Sequence, residues 1–553
     1  MPKAAPEWRA AAAGGAVCLW STGFIANRRE LSAELGPTPA PSDPGLLERL
    51  FGKLGDRAAE HIAGSFAWIV WEPGRRRLVS VGDRQGMASL YYSIAGDTFL
   101  LATSFEDLLR QLSRPPVLHR RAAAEHLVGG GPLPGETFCD GVAVIERGQV
   151  LDVVDACDIK SRHYWSIEPR PVRRASDAEH ASAFRDLLFQ VVEEYLPAAT
   201  FGVTLSGGLD STSVTAALVV SSPGRSPVPL LWTAPELPEA DERAQAHTVC
   251  RLYGLRPEEI RADLLWPLRH RDRPRVDPAD PLSSPYEEVW EATFERARER
   301  GLRVLFTGAS GDNLFGGNAF SYPDLVLTGR WLELARQLRE HLPHSELGLR
   351  RILHTMVLAP IRQAYFPRRR RPAGPDWLTE ESRELIAGAR DQERLPYWLL
   401  PGRKQHLRQM RERILPRIMA HLTRRAAAHG IELRSPLLDH RLFELAASLP
   451  TSQVFRAAER KIVIRNAMRP YLPAEVIDRR TKIYPVAIFE RGVREREARK
   501  VEALLTGMRA AELGFVDEEK LRSAYRDYRA GKDRSARFWH ALTLESWLRE
   551  YFA

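Results

Sequence analysis

Cysteine is scarce in this chain, and the four present, Cys18, Cys139, Cys157 and Cys250, form no CxxC pair and have no histidines at metal-ligand spacing. That pattern excludes a disulfide scaffold and a zinc ribbon, and it fits reduced thiols in a cytoplasmic protein. Long apolar runs are missing as well. The apolar stretch from Ala10 to Trp20 follows Glu7 and Arg9, has no Lys/Arg-rich segment before it and is far too short to cross a bilayer. It reads as a buried first strand, with neither a signal peptide nor a membrane span expected. Internal repeats and low-complexity tracts are absent too.

What is present is ordinary for a globular protein: 44% hydrophobic and 27% charged residues, enough to bury sizeable cores. A length of 553 residues exceeds what one core usually organises, so two unequal domains are expected. The formal charge of +9 permits acidic partners. Its arginines are scattered, however, and the one dense run, Arg368 to Arg371, lies between Pro367 and Pro372 without interleaved aromatics. That run reads as a solvated loop, and nucleic acid is not expected as a partner.

Up to about Trp165 the chain shows short strand-like runs broken by Gly and charged turns, among them Ser65 to Trp71 and Leu78 to Val81. Pro, Arg, Ser and Asp from Pro169 to Asp177 suit an exposed connection, which places the domains at 1–168 and 169–553. Ser176 or Asp177 can cap a helix carrying Phe184, Leu187, Leu188, Val191, Val192 and Tyr195 at helical spacing. After it, strands at Phe201 to Leu205, Val228 to Thr233 and Arg303 to Thr307 alternate with helices at Ser211 to Val220, Asp241 to Tyr253 and Tyr286 to Arg300. Such alternation predicts a parallel α/β sheet. Beyond Gly317 the pattern is almost entirely helical.

Chemistry concentrates where a strand meets a helix, at Ser206, Gly207, Gly208, Leu209, Asp210, Ser211 and Thr212. A Gly pair there lets backbone N–H groups approach phosphate oxygens at a helix start, and the Ser and Thr hydroxyls add donors. The Walker pattern and its lysine are missing, so γ-phosphoryl transfer is not expected. A second loop, Thr307 to Gly317 with Gly311 and Asp312, also follows a predicted strand. Loops at the carboxyl ends of strands converge in open α/β sheets, which would bring Asp210 and Asp312 together as hard oxygen ligands for Mg²⁺ beside ATP.

Together the two loops resemble those of the asparagine synthetases and their relatives, ATP pyrophosphatases that split ATP between its α- and β-phosphates. The resemblance continues through Glu432 to Arg441, Lys461 to Arg465 and Arg479 to Lys482, in order from about Ala183 to the C-terminus. It implies lysines near the phosphates at Lys461 and Lys482, offsetting charge on the departing pyrophosphate. Lys461 reads equally as a solvated helix-end residue. Arg434 and Asp439 read as structural, fixing a helix start and an internal ion pair.

The first domain has its own resemblance. Gly64 to Ala67, Gly82 to Gly86 and Leu90 to Tyr92 are similar to class II glutamine amidotransferases, two-sheet Ntn-like sandwiches that release ammonia from glutamine with an N-terminal cysteine. The sequence given begins Met1-Pro2-Lys3, and Cys18 is too far inside to serve. No glutaminase activity is therefore expected of this pseudo-amidotransferase domain, and the amine must come from the substrate. Two branches of the family fit: enzymes of the β-lactam synthetase type, and lasso peptide cyclases, which join a peptide's N-terminal amine to an internal Asp or Glu. The retained Arg434 to Asp439 motif and the long, basic, Pro-punctuated stretch from Phe320 to Gln405 favour the cyclase.

Relatives place a glutamate or tyrosine three residues before the aspartate matching Asp312, and Ala309 stands there. Glu287, Glu288 and Glu346 are alternatives that the sequence does not separate. The expectation is thus a degenerate amidotransferase-like domain packed on an α/β ATP-pyrophosphatase domain with a helical C-terminal half. It would act on a ribosomally made precursor peptide beside a leader-binding protein and a leader peptidase. A small-substrate amide ligase, a precursor-holding scaffold and a tRNA-modifying enzyme are the other readings.

Overall fold

The computed structural model describes residues 9–11, 17–36, 42–156, 158–317, 321–366, 374–389, 395–481 and 483–552. Met1 to Lys3, Cys157, Phe320, the Arg368 to Arg371 run and Lys482 lie outside them, as does the side chain of Cys18.

Alternation of side chains builds the first domain. In the strand Gly64–Glu72, Phe66, Trp68 and Val70 point to one face and Ala67 and Ile69 to the other, and all five are buried. This strand sits inside a six-stranded antiparallel sheet in the order Arg9–Ala11, Val17–Ile25, Gly64–Glu72, Arg77–Gly82, Gln149–Val154 and Asp158–His163. Helix Asp43–Leu54 covers one face with Leu46, Leu47 and Leu50 against Phe66, Trp68 and Val70. The other face meets a three-stranded sheet, Thr98–Ala102, Tyr91–Ala95 and Val142–Val144, across Trp20, Ala67, Ile69, Ile145, Leu151 and Val153. The two-sheet sandwich expected from the sequence is present.

Helix Asp177–Tyr195 opens with a capping box in which the Ser176 hydroxyl accepts from the Glu179 N–H and the Glu179 carboxylate accepts from the Ser176 N–H. Its apolar stripe of Phe184, Leu188, Val191 and Val192 is fully buried against the following sheet. That sheet has five parallel strands in the spatial order Glu258–Arg261, Val228–Thr233, Phe201–Leu205, Val304–Phe306 and Glu432–Arg434. Beyond Gly317 the chain is almost entirely helical as expected, and this fifth strand is one of its exceptions. Three residues are too short to show a period, and pairing of Val304 with Glu432 and of Phe306 with Arg434 is what makes them a strand. A hairpin of Phe455–Arg456 and Glu459–Arg460 is a second exception.

Strand order reverses between Phe201–Leu205 and Val304–Phe306, since the chain builds outward in one direction from the first and then crosses to the other side. A crevice opens at the carboxyl ends of these two strands. Around it, helices of the C-terminal half pack on the sheet and on the first domain. The buried His126 meets Thr543 at 2.8 Å, and Arg403 reaches both the Arg170 and Leu449 carbonyls. An arm of helices from Ser321 to Tyr365 is tied to the body by Asp324, whose carboxylate accepts from the Gly402 N–H and the Thr451 hydroxyl.

The motif Glu432 to Arg441 is structural, as expected. The Asp439 side chain accepts from the Arg441 N–H at the start of helix His440–Ser448. Its ion-pair partner is Arg441 at 2.9 Å, and not Arg434, which pairs with Glu432 at 2.7 Å. Burial would raise the Asp439 carboxyl, but Arg441 prevails and holds it below the usual range.

Candidate active site

The loop after Phe201–Leu205 closes on itself through its hydroxyls. Ser206 Oγ accepts from the Gly208 N–H and lies 3.0 Å from Ser211 Oγ, which in turn accepts from the Ser206 N–H. Helix Leu209–Ser221 then starts at Gly208 with no side chain capping its first N–H groups. An uncapped helix start at a strand end offers those donors, with the helix dipole behind them, to an anion. Ser206, Gly207, Gly208, Asp210 and Ser211 line the crevice. Thr212 does not: it is fully buried, and its hydroxyl donates to the Gly208 carbonyl. The expected extra donor is spent on holding the loop.

The second loop packs directly on the first. A Cβ on Gly308 would come within 2.6 Å of the Ser211 backbone nitrogen, and one on Gly311 would run into the Asp210 carboxylate. Both glycines are therefore required by close approach. Ser310 turns the chain with φ 81 so that the short helix Gly311–Phe315 presents Asp312 to the crevice.

Between the two aspartates sits Lys461. Its Nζ lies 2.6 Å from Asp210 and 2.8 Å from Asp312. The hairpin turn at Ala457 and Ala458, both at positive φ, and Lys461 itself, at φ 60, aim the side chain inward ahead of helix Ile462–Met468. Burial favours the neutral amine, but the two carboxylates, Asp210 foremost, outweigh it and raise the Lys461 pKa. Lys461 is thus not a solvated helix-end lysine. Arg479, which sequence reasoning left without a role, pairs with Glu242 at 3.0 Å and reaches toward the Gly207 carbonyl. Its only sequence signal was its place three residues before Lys482, whose neighbours Arg480, Thr481 and Ile483 also line the crevice.

Two carboxylates and a phosphate-loop helix start fit a divalent ion together with a nucleotide. No group of three or more His, Cys, Asp or Glu comes together among the described residues. Mg²⁺ needs no such group, since one or two carboxylates, phosphate oxygens and water complete its shell.

The cavity measures about 1740 Å³ and extends well past these loops. One wall carries Trp232, Tyr286 and Trp290, and another is the helical arm at His341, Leu347, Arg351, Met356 and Pro360. Ala309 lines it and offers no proton acceptor. Of the three glutamates left open by the sequence, Glu287 is buried against His421 and Arg425, Glu288 pairs with Arg271 at 3.4 Å, and Glu346 is exposed. Burial pushes the Cys139 thiol of the first domain up to about 12 and the Cys250 thiol of the second to about 11, so neither is a thiolate at neutral pH. Among the described residues no helix is long and apolar enough to cross a membrane.

Comparison with known proteins follows these divisions. Residues 183–549 match the asparagine synthase family and residues 11–165 a glutamine amidotransferase domain family. The chain is 25% identical to the amidase chyE of Penicillium rubens, over 86% of this chain and 77% of that protein. It is 22% identical to glutamine-hydrolyzing asparagine synthetase 3 of Bacillus subtilis, over 83% of this chain and 73% of that one. A solved glutamine phosphoribosylpyrophosphate amidotransferase from B. subtilis covers 59% of this chain and 61% of its own at 13% identity, with a TM-score of 0.21 that carries no argument.

Proposed function

From the chain's membership of the asparagine synthase family, and hence its standing as an ATP-dependent, AMP-forming amide ligase, we propose that it is a lasso peptide cyclase. Its substrate is a precursor core peptide, and it works beside a leader-binding protein and a leader peptidase. The observation that carries this reading is the cavity, which runs from the phosphate loop to the helical arm and at about 1740 Å³ exceeds the ~300–1,000 Å³ of ordinary small-molecule sites. A folded peptide loop needs such room; an amino-acid derivative does not.

In the first step a side-chain carboxylate of the peptide attacks the α-phosphorus of ATP, whose pyrophosphate rests on the N–H groups after Gly208. Lys461 and Arg479 supply positive charge beside that loop, and Lys482 follows in the same segment. Mg²⁺ held by Asp210 and Asp312 would neutralise phosphate charge as pyrophosphate leaves. In the second step the peptide's α-amine attacks the acyl-adenylate, and AMP departs. The protein's contribution is to hold two ends of one peptide in reacting geometry.

Substrate variants test the reading. Replacing the acceptor Asp or Glu by Asn or Gln should stop the reaction before adenylation, whereas acetylating the peptide's first amine should stop it after adenylation. AMP formation with a small amino acid alone would transfer the chain to the small-substrate branch.

A further inference from the structure

Helix Gly311–Phe315 carries Asp312 into the crevice, and a helix of five residues has little stability of its own. Its last carbonyls have no partners within the helix and must find them elsewhere. They find them on helix Pro401–Met410, where His406 and Gln409 share one face a turn apart. His406 Nε2 donates to the Leu314 carbonyl at 2.6 Å. Gln409 Nε2 donates to the Asp312 carbonyl at 2.5 Å and to the Gly316 carbonyl at 2.8 Å. All three acceptors are carbonyls, so each donating atom must be a ring or amide nitrogen that carries hydrogen. From the same short helix, Asn313 Nδ2 donates back to Glu412 at 3.2 Å.

The helix that makes this grip is itself fixed at its other end. The Gly402 N–H donates to Asp324, and Arg403 donates to the Leu449, Ala447 and Arg170 carbonyls. The gripped loop, by contrast, is entered through Ser310 at φ 81, a backbone conformation that persists in a residue other than glycine only where its surroundings over-determine it. The Gly316 N–H bonds the Asp312 carbonyl at 3.0 Å, so the two carbonyls held by Gln409 belong to one turn, the turn that bears the carboxylate.

We propose that Gln409 is the positioning residue for Asp312: by holding both carbonyls of that turn it sets where the Asp312 carboxylate stands relative to Asp210, and so the strength with which Mg²⁺ is taken up beside ATP. The inference rests on the preceding reading of Asp210 and Asp312 as the ligands of that ion and is independent of the peptide. Mg²⁺ demands near-octahedral oxygens at about 2.0–2.1 Å, a geometry that a loosely held carboxylate does not supply. An uncharged amide suits the task, since its two N–H groups serve two carbonyls at once and bring no cation to compete for the carboxylate.

Calorimetry with ATP and no peptide, in MgCl₂ and in EDTA, separates this role from a merely structural one. In the wild type Mg²⁺ tightens ATP binding, and Gln409→Met should reduce that gain by about tenfold, the lower end of what loss of a metal ligand's supporting hydrogen bonds costs. Its ATP affinity in EDTA should match the wild type. Gln409→Asn keeps the amide on a shorter stem and should fall between the two; it decides the matter if the methionine variant does not fold. A gain unchanged by these substitutions, or ATP binding weakened equally in MgCl₂ and in EDTA, overturns the assignment. Asp312→Asn marks failure of the metal reading separately: if that variant keeps the full wild-type gain, Asp312 is no ligand and the role of Gln409 falls with it.

Discussion

Lys461 reaches Asp210 across 2.6 Å, and through that ammonium two motifs far apart in the chain become one site. Asp312 joins at 2.8 Å, so two carboxylates that would repel each other share a cation inside the crevice.

Removing that cation should be felt first in stability. Lys461→Met leaves Asp210 and Asp312 facing each other, and the loss should fall below the ~3–5 kcal/mol of a fully buried pair because the Asp312 side chain is 46% exposed. Mg²⁺ should raise the Tm of the variant more than that of the wild type. Thermal melts with Mg²⁺ and with EDTA that show no difference between the two proteins would argue against a shared cation site.

Either carboxylate should be needed for the chemistry. Asp210→Asn and Asp312→Asn are expected to lower pyrophosphate release by about a hundredfold or more while circular dichroism stays native. Near-normal rates with Mg-ATP would remove the residue from the metal's shell.

Close approach of the two loops makes a sharper demand. Gly308→Ala drives a methyl group against the Ser211 backbone, an overpacking that should cost about 1–3 kcal/mol and abolish ATP binding. Gly74→Ala, where a Cβ meets nothing, is the control expected to change neither. Tight ATP binding by the Gly308 variant, measured calorimetrically, would show that the loops need not touch.

The arm carries a pH signature. Burial raises the Asp324 carboxyl from 3.8 to about 6, with Gly402 and Thr451 pulling it partly back. Between those values the folded state holds more protons than the unfolded one, so this group's contribution falls as pH rises from about 4 to about 6, by up to ~3 kcal/mol. Asp324→Asn should flatten that part of the stability profile in urea melts. An unchanged slope would mean that Asp324 titrates normally.

Much of this arrangement was legible in the sequence where local physics decides it. Phe201 to Leu205 and Val228 to Thr233 fall on the strands as observed, and of the two cap candidates, Ser176 and Asp177, it is Ser176 that caps the helix. Convergence of Asp210 and Asp312 followed from two strand-end loops, and the reversal of strand order supplies the reason. What the sequence hid is tertiary. Glu432–Arg434 is a strand only because Val304–Phe306 pairs with it. Thr212 looks like a free donor until its hydroxyl meets Gly208. Lys461 and the pair of His421 with Glu287 acquire their partners from distant segments, and no local spacing announces them.

The most direct test of the account is product analysis with a leaderless precursor peptide, purified enzyme and Mg-ATP. AMP, pyrophosphate and a peptide lighter by one water, with the loss mapped to a bond between its first amine and an internal Asp or Glu, are the predicted result. ADP and phosphate, or AMP formed with the peptide left unmodified, would contradict it.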